Sequence, residues 1–264
     1  ATGLRVNESA GESWYDGLEA SLTKRFSHGL QFLASYTWSK ALDSDGANFF
    51  SSQVSGTATG DNNDPLARKG LTEVHRPHRF VFSYVYEVPG PSGNGLAAKL
   101  LGGWAVSGVT TIQAGQALTI TATSPNNVFG ITTDRAQIAP HCSYEDLVTP
   151  GGVEGKLSNY FNQSCFAPFP IVGDDGRATG FGNSGVGIVR GPHQQNFDLV
   201  VSKRMPVGWV TSGSNLELRL EMFNALNTPQ FNNPVTNASS ATFGQISSTS
   251  VSPRIMQLAA KFTF

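Results

Sequence analysis

The chain has 264 residues with a formal net charge of −1 at pH 7, and only 14% of its residues are charged. Soluble globular proteins usually have roughly 25% charged residues, so this composition argues against a helix-rich cytosolic enzyme. The near-zero charge also gives no positive field for binding nucleic acid. A transmembrane helix needs about 20 consecutive apolar residues, and no apolar stretch of the chain is that long.

Seven segments of the chain alternate apolar and polar residues with a period of two, the pattern of a β-strand with two different faces. In the third segment, for example, Phe80, Phe82 and Tyr84 alternate with Arg79 and Ser83. The sequence therefore predicts an all-β fold. The predicted strands lie near 13–26, 30–40, 78–88, 103–121, 197–204, 215–223 and 254–264.

The connectors between these strands alternate in length. Long connectors at 41–77, 122–196 and 224–253 follow every second strand, and the connectors between them are much shorter. A soluble sandwich has no reason to lengthen every second loop, whereas outer-membrane barrels have short periplasmic turns and long extracellular loops. The pattern predicts that residues 1–264 form one antiparallel segment of a transmembrane β-barrel.

The odd number of strands affects how such a barrel could close. If the short turns are periplasmic, the first strand enters from outside and the seventh ends inside, so the two would meet parallel. An open edge at bilayer depth leaves unpaired N–H and C=O groups that cost several kcal/mol each. We therefore expect a C-terminal part of a larger barrel.

The first residues lack the features of a signal peptide, so the chain is either mature or missing its beginning.

Two lysines lie on apolar faces of the predicted strands. Lys24 and Lys203 are both near strand ends beside short turns. Their aliphatic stems can extend along apolar surface while the ammonium reaches the lipid headgroups.

The two cysteines, Cys142 and Cys165, lie in one region rich in Gly, Pro and Asn. Neither belongs to a CxxC pair that would build a metal site. A loop disulfide formed in an oxidising compartment is the favoured interpretation, with two free thiols as the alternative.

Few residues suggest chemistry. Ser184 lies in a Gly-Asn-Ser-Gly stretch like a serine-protease nucleophile turn, and His193 follows nine residues later, but no carboxylate partner is identifiable. Glu217, Arg219 and Glu221 form a charged row that either lines a permeation path or solvates a barrel interior. The sequence predicts no catalytic residue and no cofactor.

Metal binding is also disfavoured. His75 and His78 are spaced i, i+3 on non-helical backbone and do not converge on one metal, so we expect a structural role at the strand rim. Three acidic stretches offer oxygen ligands that suit Ca²⁺, but none matches an EF-hand loop, and we interpret them as solvated loops. They are Asp43-Ser44-Asp45-Gly46, Asp61-Asn62-Asn63-Asp64 and Asp174-Asp175-Gly176.

Four stretches carry a resemblance to a known family: SWYDGLEASLTKRFSHGLQFLASYTWSKALD (13–43), HRFVFSYVYEVP (78–89), FGNSGVGIVRGPHQQNFDLVVSKR (181–204) and FNALNTPQFNNP (223–234). They resemble the C-terminal barrel region of TonB-dependent receptors, in particular the Oar-like receptors with a carboxypeptidase-regulatory-like N-terminal domain. The resemblance implies a barrel of the 22-stranded type, with about 15 further strands. The family's plug domain and TonB-contacting box match nothing in this sequence.

The last segment, SPRIMQLAAKFTF (252–264), is similar to the end of such a receptor. Outer-membrane barrels carry a C-terminal signal for the barrel-assembly machinery: a polar residue, a glycine and two hydrophobic residues, the last of them aromatic. By position, the polar residue is Gln257 and the hydrophobic pair is Phe262 and Phe264, whereas Ala259 replaces the glycine. The resemblance implies that Phe264 is the natural C-terminus.

The resemblance implies energised uptake of a large or scarce ligand across the outer membrane of a Gram-negative bacterium. The loops would capture the ligand, a plug would gate it, and TonB would transmit force from the inner membrane. The expected partners are outer-membrane lipid, the barrel-assembly machinery, TonB and an unidentified extracellular ligand, but no nucleic acid. No ligand-binding residue can be named. A self-assembling or adhesive surface protein, pairing through open strand edges, and a passive pore remain alternatives.

Overall fold

The computed structural model describes residues 11–44, 60–61, 64–91, 93, 95–174, 176–207 and 213–264. Seven long strands dominate it, which confirms the predicted all-β fold. They are β1 (Ser13–Ser27), β2 (Leu30–Asp43), β3 (His78–Glu87), β4 (Trp104–Gln113), β5 (Gln194–Pro206), β6 (Asn215–Phe223) and β7 (Ile255–Thr263).

The strands form one antiparallel sheet in chain order, each paired with its neighbours along the chain. The two-residue strand Gly70–Leu71 extends the same sheet beside the end of β2. Among the described residues the sheet does not close, because β1 and β7 are its two edges. The two edge strands run in the same direction, as the odd number of strands requires.

The register keeps the two faces of the sheet separate across all seven strands. Ala34 lies between Leu22 and Phe82, and Leu220 lies between Val201 and Leu258. A slip of one residue would mix the faces, because side chains alternate along a strand. We call the side bearing these residues the apolar face. Its central members are Leu18, Ala20, Leu22, Phe32, Ala34, Tyr36, Phe80, Phe82, Tyr84, Val106, Ile112, Phe197, Leu199, Val201, Leu218, Leu220, Met222, Met256, Leu258, Ala260 and Phe262.

The sheet has no buried core on either side. Every residue of the seven strands is described, and none of them is buried. On the apolar face Leu258 exposes 85% of its surface. Exposed apolar surface costs about 25 cal/mol per Å² in water but nothing comparable in hydrocarbon. The exposure pattern is that of a wall between lipid and water.

The first short turn is a two-residue hairpin. His28 and Gly29 both have positive φ, at 52° and 76°. A type I′ turn needs this conformation at both central positions, and its twist matches that of the flanking strands. A glycine is also needed because a Cβ at Gly29 would lie 2.6 Å from the carbonyl oxygen of Glu87.

The turn between β3 and β4 contains a feature that the alternation pattern missed. Residues Leu96–Leu101 form a short α-helix, α1. In the described part of the chain, no helix is long and apolar enough to cross a membrane.

The predicted strand at 103–121 is wrong beyond Gln113, where β4 ends. At Gly115 the chain passes the backbone of Gly191 so closely that a Cβ would lie 1.8 Å from the Gly191 carbonyl oxygen. The next residues, Ala117–Leu118, then pair with Val189–Arg190 in a separate sheet. Two other strands are longer than predicted: β2 continues to Asp43, and β5 extends from Gln194 to Pro206.

The hydrophobic core of the molecule lies in the long connectors. Residues 114–193 and 224–254, which we call the loop unit, enclose a cluster that includes Ile120, Leu147 and Phe161. The Phe243 ring from the third connector contacts Phe161 and Phe166 from the second, with centroids 5.2 and 5.1 Å apart. The two connectors thus fold as one body.

Short elements shape the connectors. The strands are Thr121–Thr123, paired with Thr133–Arg135, and Gln137–Ile138, paired with Phe166–Ala167. The 3-10 helices are Pro65–Arg68, Tyr144–Leu147, Val153–Lys156 and Gln163–Cys165.

Candidate functional site

The polar face of β5, β6 and β7 carries a row of alternating charges. Arg219 lies 3.0 Å from Glu221 and 3.8 Å from Glu217, and Glu217 lies 3.7 Å from Arg204 on β5. The amide of Gln257 on β7 donates to Glu221. The two glutamates are partly covered, but the arginines are more exposed. Ion pairs that water reaches contribute about 0–1 kcal/mol each, so their main effect is to balance charge on a hydrated surface.

The loop unit is attached to the polar side of the strand rim. The Gln230 amide donates to Oδ1 of Asn196 at 3.1 Å, and the backbone N–H of Asn224 donates to Oδ1 of Asp198 at 2.9 Å. Gln194 donates to the hydroxyl of Ser250 at 2.9 Å. Gln194, Asn196 and Asp198 lie opposite Gln113, Thr111 and Val109, on the face that carries the charged row. The loop unit therefore leans over the polar face.

A second attachment centres on His75, which is 3% exposed. Its Nε2 lies 2.9 Å from Nη2 of Arg190, and its Nδ1 lies 3.3 Å from the backbone N–H of Ala41. A neutral imidazole accepts at only one of its two nitrogens, so the tautomer decides which of these donors it pairs with. Burial, followed by the positive charges of Arg190 and Lys40, lowers the pKa of His75 from 6.5 to about 4. Beside it, Arg76 donates to the carbonyl of Ala114 at 2.8 Å. The uncharged ring thus joins the first connector to β2 and the loop unit.

A buried carboxylate holds the first and second connectors together. Asp134 is fully buried and accepts from the backbone N–H groups of Gly60 at 2.6 Å and Gly182 at 2.9 Å. Sequence reasoning missed this residue because its partners are backbone groups distant in the chain.

Cys142 and Cys165 form a disulfide within the loop unit. It links the chain just before the 3-10 helix Tyr144–Leu147 to the last residue of the 3-10 helix Gln163–Cys165. Ser143 is the N-cap of the first of these helices, and its backbone N–H donates to Asp146 at 2.8 Å, which lowers the pKa of that carboxyl. An open cavity of about 470 Å³ lies beside the disulfide. Its lining residues are Gln137, Ile138, Ala139, Pro140, Cys142, Ser143, Tyr144 and Asn183.

The sheet has one apolar and one polar face, and large folded loops lie on one side of it. Both features are consistent with a family whose model matches the sequence. A family model described as an outer membrane beta barrel domain matches residues 1–257. The chain belongs to the outer membrane beta barrel domain family. No curated protein and no solved structure matches it.

Membership of this family fixes the surroundings of the two faces. The barrel domain lies in the outer membrane of a Gram-negative bacterium. Barrels of this kind present their apolar residues to lipid and their polar residues to the lumen. The charged row of the barrel domain therefore faces the lumen, and the loop unit leans over the lumen.

The structure places the candidate catalytic residues of the barrel domain apart. Ser184 is fully buried, and its hydroxyl lies 3.5 Å from the carbonyl oxygen of Ile120. Within the described structure no hydrogen bond joins it to His193, which is exposed. Ser184 is thus a packed side chain of the loop core.

The candidate metal ligands are also separate. His78 is hydrogen-bonded to the hydroxyl of Tyr36 at 2.9 Å, so it belongs to the rim rather than to a site with His75. The described residues contain no group of three or more His, Cys, Asp or Glu side chains that could hold a metal. Asp45, Gly46, Asn62, Asn63 and Asp175 of the acidic stretches lie outside the described residues.

The three residues of the predicted assembly signal lie at the edge strand of the barrel domain. Gln257 and Phe262 are in β7 on opposite faces, and Phe264 follows the strand. The rings of Phe262 and Phe264 stack with centroids 5.9 Å apart. Recognition of these residues by the barrel-assembly machinery stays a prediction.

Proposed function

We propose that the barrel domain is the C-terminal part of a TonB-dependent receptor, which captures a ligand at the cell surface for energised uptake. The observation that carries the proposal is the loop unit, a folded and disulfide-linked body hydrogen-bonded to the luminal side of the rim. A passive pore needs an open mouth, whereas a receptor needs a shaped surface above its lumen. The resemblance of the four stretches to TonB-dependent receptors points the same way.

The proposal also accounts for the open sheet. Further strands of the receptor would pair with β1 and β7, whose backbone groups otherwise lie unpaired at bilayer depth. Because β1 and β7 run in the same direction, an odd number of additional strands closes an antiparallel barrel. A plug domain inside the lumen would carry the contact with TonB, and the barrel-assembly machinery would read Gln257, Phe262 and Phe264. The receptor catalyses no reaction and needs no cofactor.

One observation favours a second candidate, a surface-adhesive role. The loop unit exposes Val128, Phe129, Ile171 and Val172 to between 52% and 61%. These residues lie on neighbouring segments, since Val128 donates its N–H to Thr179 and Val172 donates to Ala178. Such an apolar patch suits contact with another surface.

Capture by TonB distinguishes these functions. Outer membranes that contain the native protein are solubilised in mild detergent and passed over the immobilised periplasmic domain of TonB, with an unrelated porin as the control. We expect the native protein to be retained and the porin to flow through. Loss of retention from intact protein would overturn the receptor proposal. Steady ion conductance of the same sample in a planar bilayer would then identify a pore, and self-association into fibres would identify an assembly protein.

A further inference from the structure

The helix α1 in the turn between β3 and β4 is apolar and exposed. Leu96, Leu100 and Leu101 expose 74%, 59% and 61% of their surface. With about 100° between successive residues, these leucines and Ala97 occupy an arc of about 140° on one side of the helix. Ala98, outside that arc, is half-buried, and Lys99 also lies outside it. The helix thus has an apolar side that nothing in the described chain covers.

Contacts of the helix place it on the lipid side of the barrel wall. Nζ of Lys203 lies 2.9 Å from the carbonyl oxygen of Leu100 and 2.8 Å from that of Gly102. The indole N–H of Trp104 also donates to the Leu100 carbonyl, at 3.0 Å. Lys203 and Trp104 are paired with each other on the apolar face. The helix therefore docks against the face that contacts lipid and not against the luminal face.

The exposed side of α1 is continuous with that apolar face. Tyr86, Val88 and Trp104 are all more than one third exposed at the strand ends next to the helix. Val88 is fixed there by its N–H, which donates to the Trp104 carbonyl at 2.9 Å. Aromatic residues are enriched where a membrane protein passes from hydrocarbon to headgroups. The turn is on the periplasmic side, opposite the loop unit, so this boundary belongs to the periplasmic leaflet.

Lys203 does not extend to the headgroups as a free side chain, which was the expectation from the sequence. Besides the two carbonyl contacts, its ammonium lies 4.8 Å from the centre of the Trp104 ring. These contacts satisfy a charge that would otherwise lie on the apolar face, and they hold the C-terminal end of α1 against the wall. The position of the helix is thereby fixed by specific bonds.

We propose that α1 is an interfacial membrane helix, with its three leucines inserted among the phospholipid acyl chains of the periplasmic leaflet. An amphipathic helix of this kind is buried by about 5–10 Å at the boundary of headgroups and acyl chains. We assign the bilayer as the partner of α1 because the apolar surface next to the helix, which includes Tyr86 and Trp104, belongs to the face that contacts lipid. The inference rests on the outer-membrane location of the sheet and is independent of the receptor proposal.

Depth-dependent quenching tests the proposal. The full chain is reconstituted in dioleoylphosphatidylcholine vesicles that contain lipids with a nitroxide either near the headgroup or deep in the acyl chain. A polarity-sensitive fluorophore is attached to a single added thiol in Leu100→Cys, and in Leu96→Cys as a second reading. Lys99→Cys is the matched control on the same helix. Leu258→Cys and Arg219→Cys mark the lipid-facing and luminal sides of the wall.

We expect the labels at Leu100 and Leu96 to lose more fluorescence to the shallow quencher than to the deep one, and more than the label at Lys99. The label at Leu258 should respond more to the deep quencher, and the label at Arg219 to neither. If the label at Leu258 is quenched while the labels at Leu100 and Leu96 respond as little as the label at Arg219, α1 lies in water and the proposal is wrong. The assignment of the sheet to a membrane barrel would be unaffected by that result. Shielding of Leu100 from both lipid quenchers and aqueous iodide would indicate a protein partner and equally overturn it.

Discussion

Arg219 and Leu220 are neighbours in β6, yet their side chains lie on opposite sides of the sheet. Arg219 lies opposite Ser202 and Ala259 and forms ion pairs with Glu217 and Glu221. Leu220 lies opposite Val201 and Leu258. One residue therefore belongs to a hydrated lumen and the next to the lipid contact, which gives substitutions at the two positions very different consequences.

Leu220→Arg should impair membrane assembly far more than Arg219→Leu. An arginine facing lipid near the bilayer midplane costs about 2–4 kcal/mol, whereas a luminal substitution mainly alters which solutes are favoured. The measurement is the fraction of each variant recovered as protease-resistant protein in outer membranes. Equal recovery of the two variants would mean that the faces are wrongly assigned.

Removing the disulfide should loosen the loop unit and leave the wall intact. Disulfides contribute typically about 2–4 kcal/mol, and Cys142 and Cys165 connect segments of the loop core. We expect Cys142→Ser with Cys165→Ser to speed proteolysis of the extracellular loops on whole cells, with unchanged assembly of the strands. A thiol assay on unreduced wild-type protein should detect no free thiol, and detection of two would contradict the bridge.

Acidification should release the attachment at His75. The pKa of the buried ring is about 4, against 6.5 for an exposed one, because burial, Arg190 and Lys40 all disfavour its protonation. Between pH 6.5 and about 4, the ring therefore binds more protons when it is detached than when it is buried. The attachment is fully stable above pH 6.5 and weakens as the pH falls toward about 4. Hydrogen exchange at Ala117, whose N–H donates to the carbonyl of His75, measures this.

His75→Gln provides the control for that experiment. Glutamine does not titrate, so the variant should lose the pH dependence of exchange between pH 7 and 5, after correction for intrinsic rates. The same pH dependence in the variant would show that another group is responsible.

Gly115→Ala should disrupt the point where β4 ends and the loop unit begins. An added Cβ would lie 1.8 Å from the carbonyl oxygen of Gly191, so the backbone must shift. Gly152→Ala is the matched control in the same connector, because it has φ −68° and nothing within 4 Å of its Cβ position. We expect faster loop proteolysis for Gly115→Ala alone. Similar behaviour of both variants would argue against a close approach.

The faces of the sheet were predictable from sequence because each strand carries its own period of two. Phe80, Phe82 and Tyr84 show their common side without any knowledge of β2 or β4. The end of β4 was not predictable, since it depends on the approach of Gly191, a residue far along the chain. The helix α1 is only six residues long, too short for a helical period to be distinguished from a strand or turn.

The loop core was missed for a related reason. Ile120, Phe161 and Phe243 come from irregular segments of two different connectors, so their packing leaves no periodic signal. In the sequence alone, Asp134 likewise has the features of a solvated acidic loop residue. Only the fold shows that the backbone N–H groups of Gly60 and Gly182 donate to it. The alternation of apolar and polar residues along a strand does not indicate which distant backbone groups come into contact.

The central claim is that one face of the wall meets hydrocarbon and the other meets water, and a thiol scan of β6 tests it most directly. Each residue of Asn215–Phe223 is replaced in turn by cysteine in vesicle-reconstituted protein, and labelling by a membrane-impermeant reagent is compared with quenching by lipid-borne nitroxide. The account predicts strict alternation, with positions 216, 218, 220 and 222 quenched by lipid and 217, 219 and 221 labelled from water. Uniform labelling along the strand, or protection of all positions in protein that stays soluble without lipid, would contradict it.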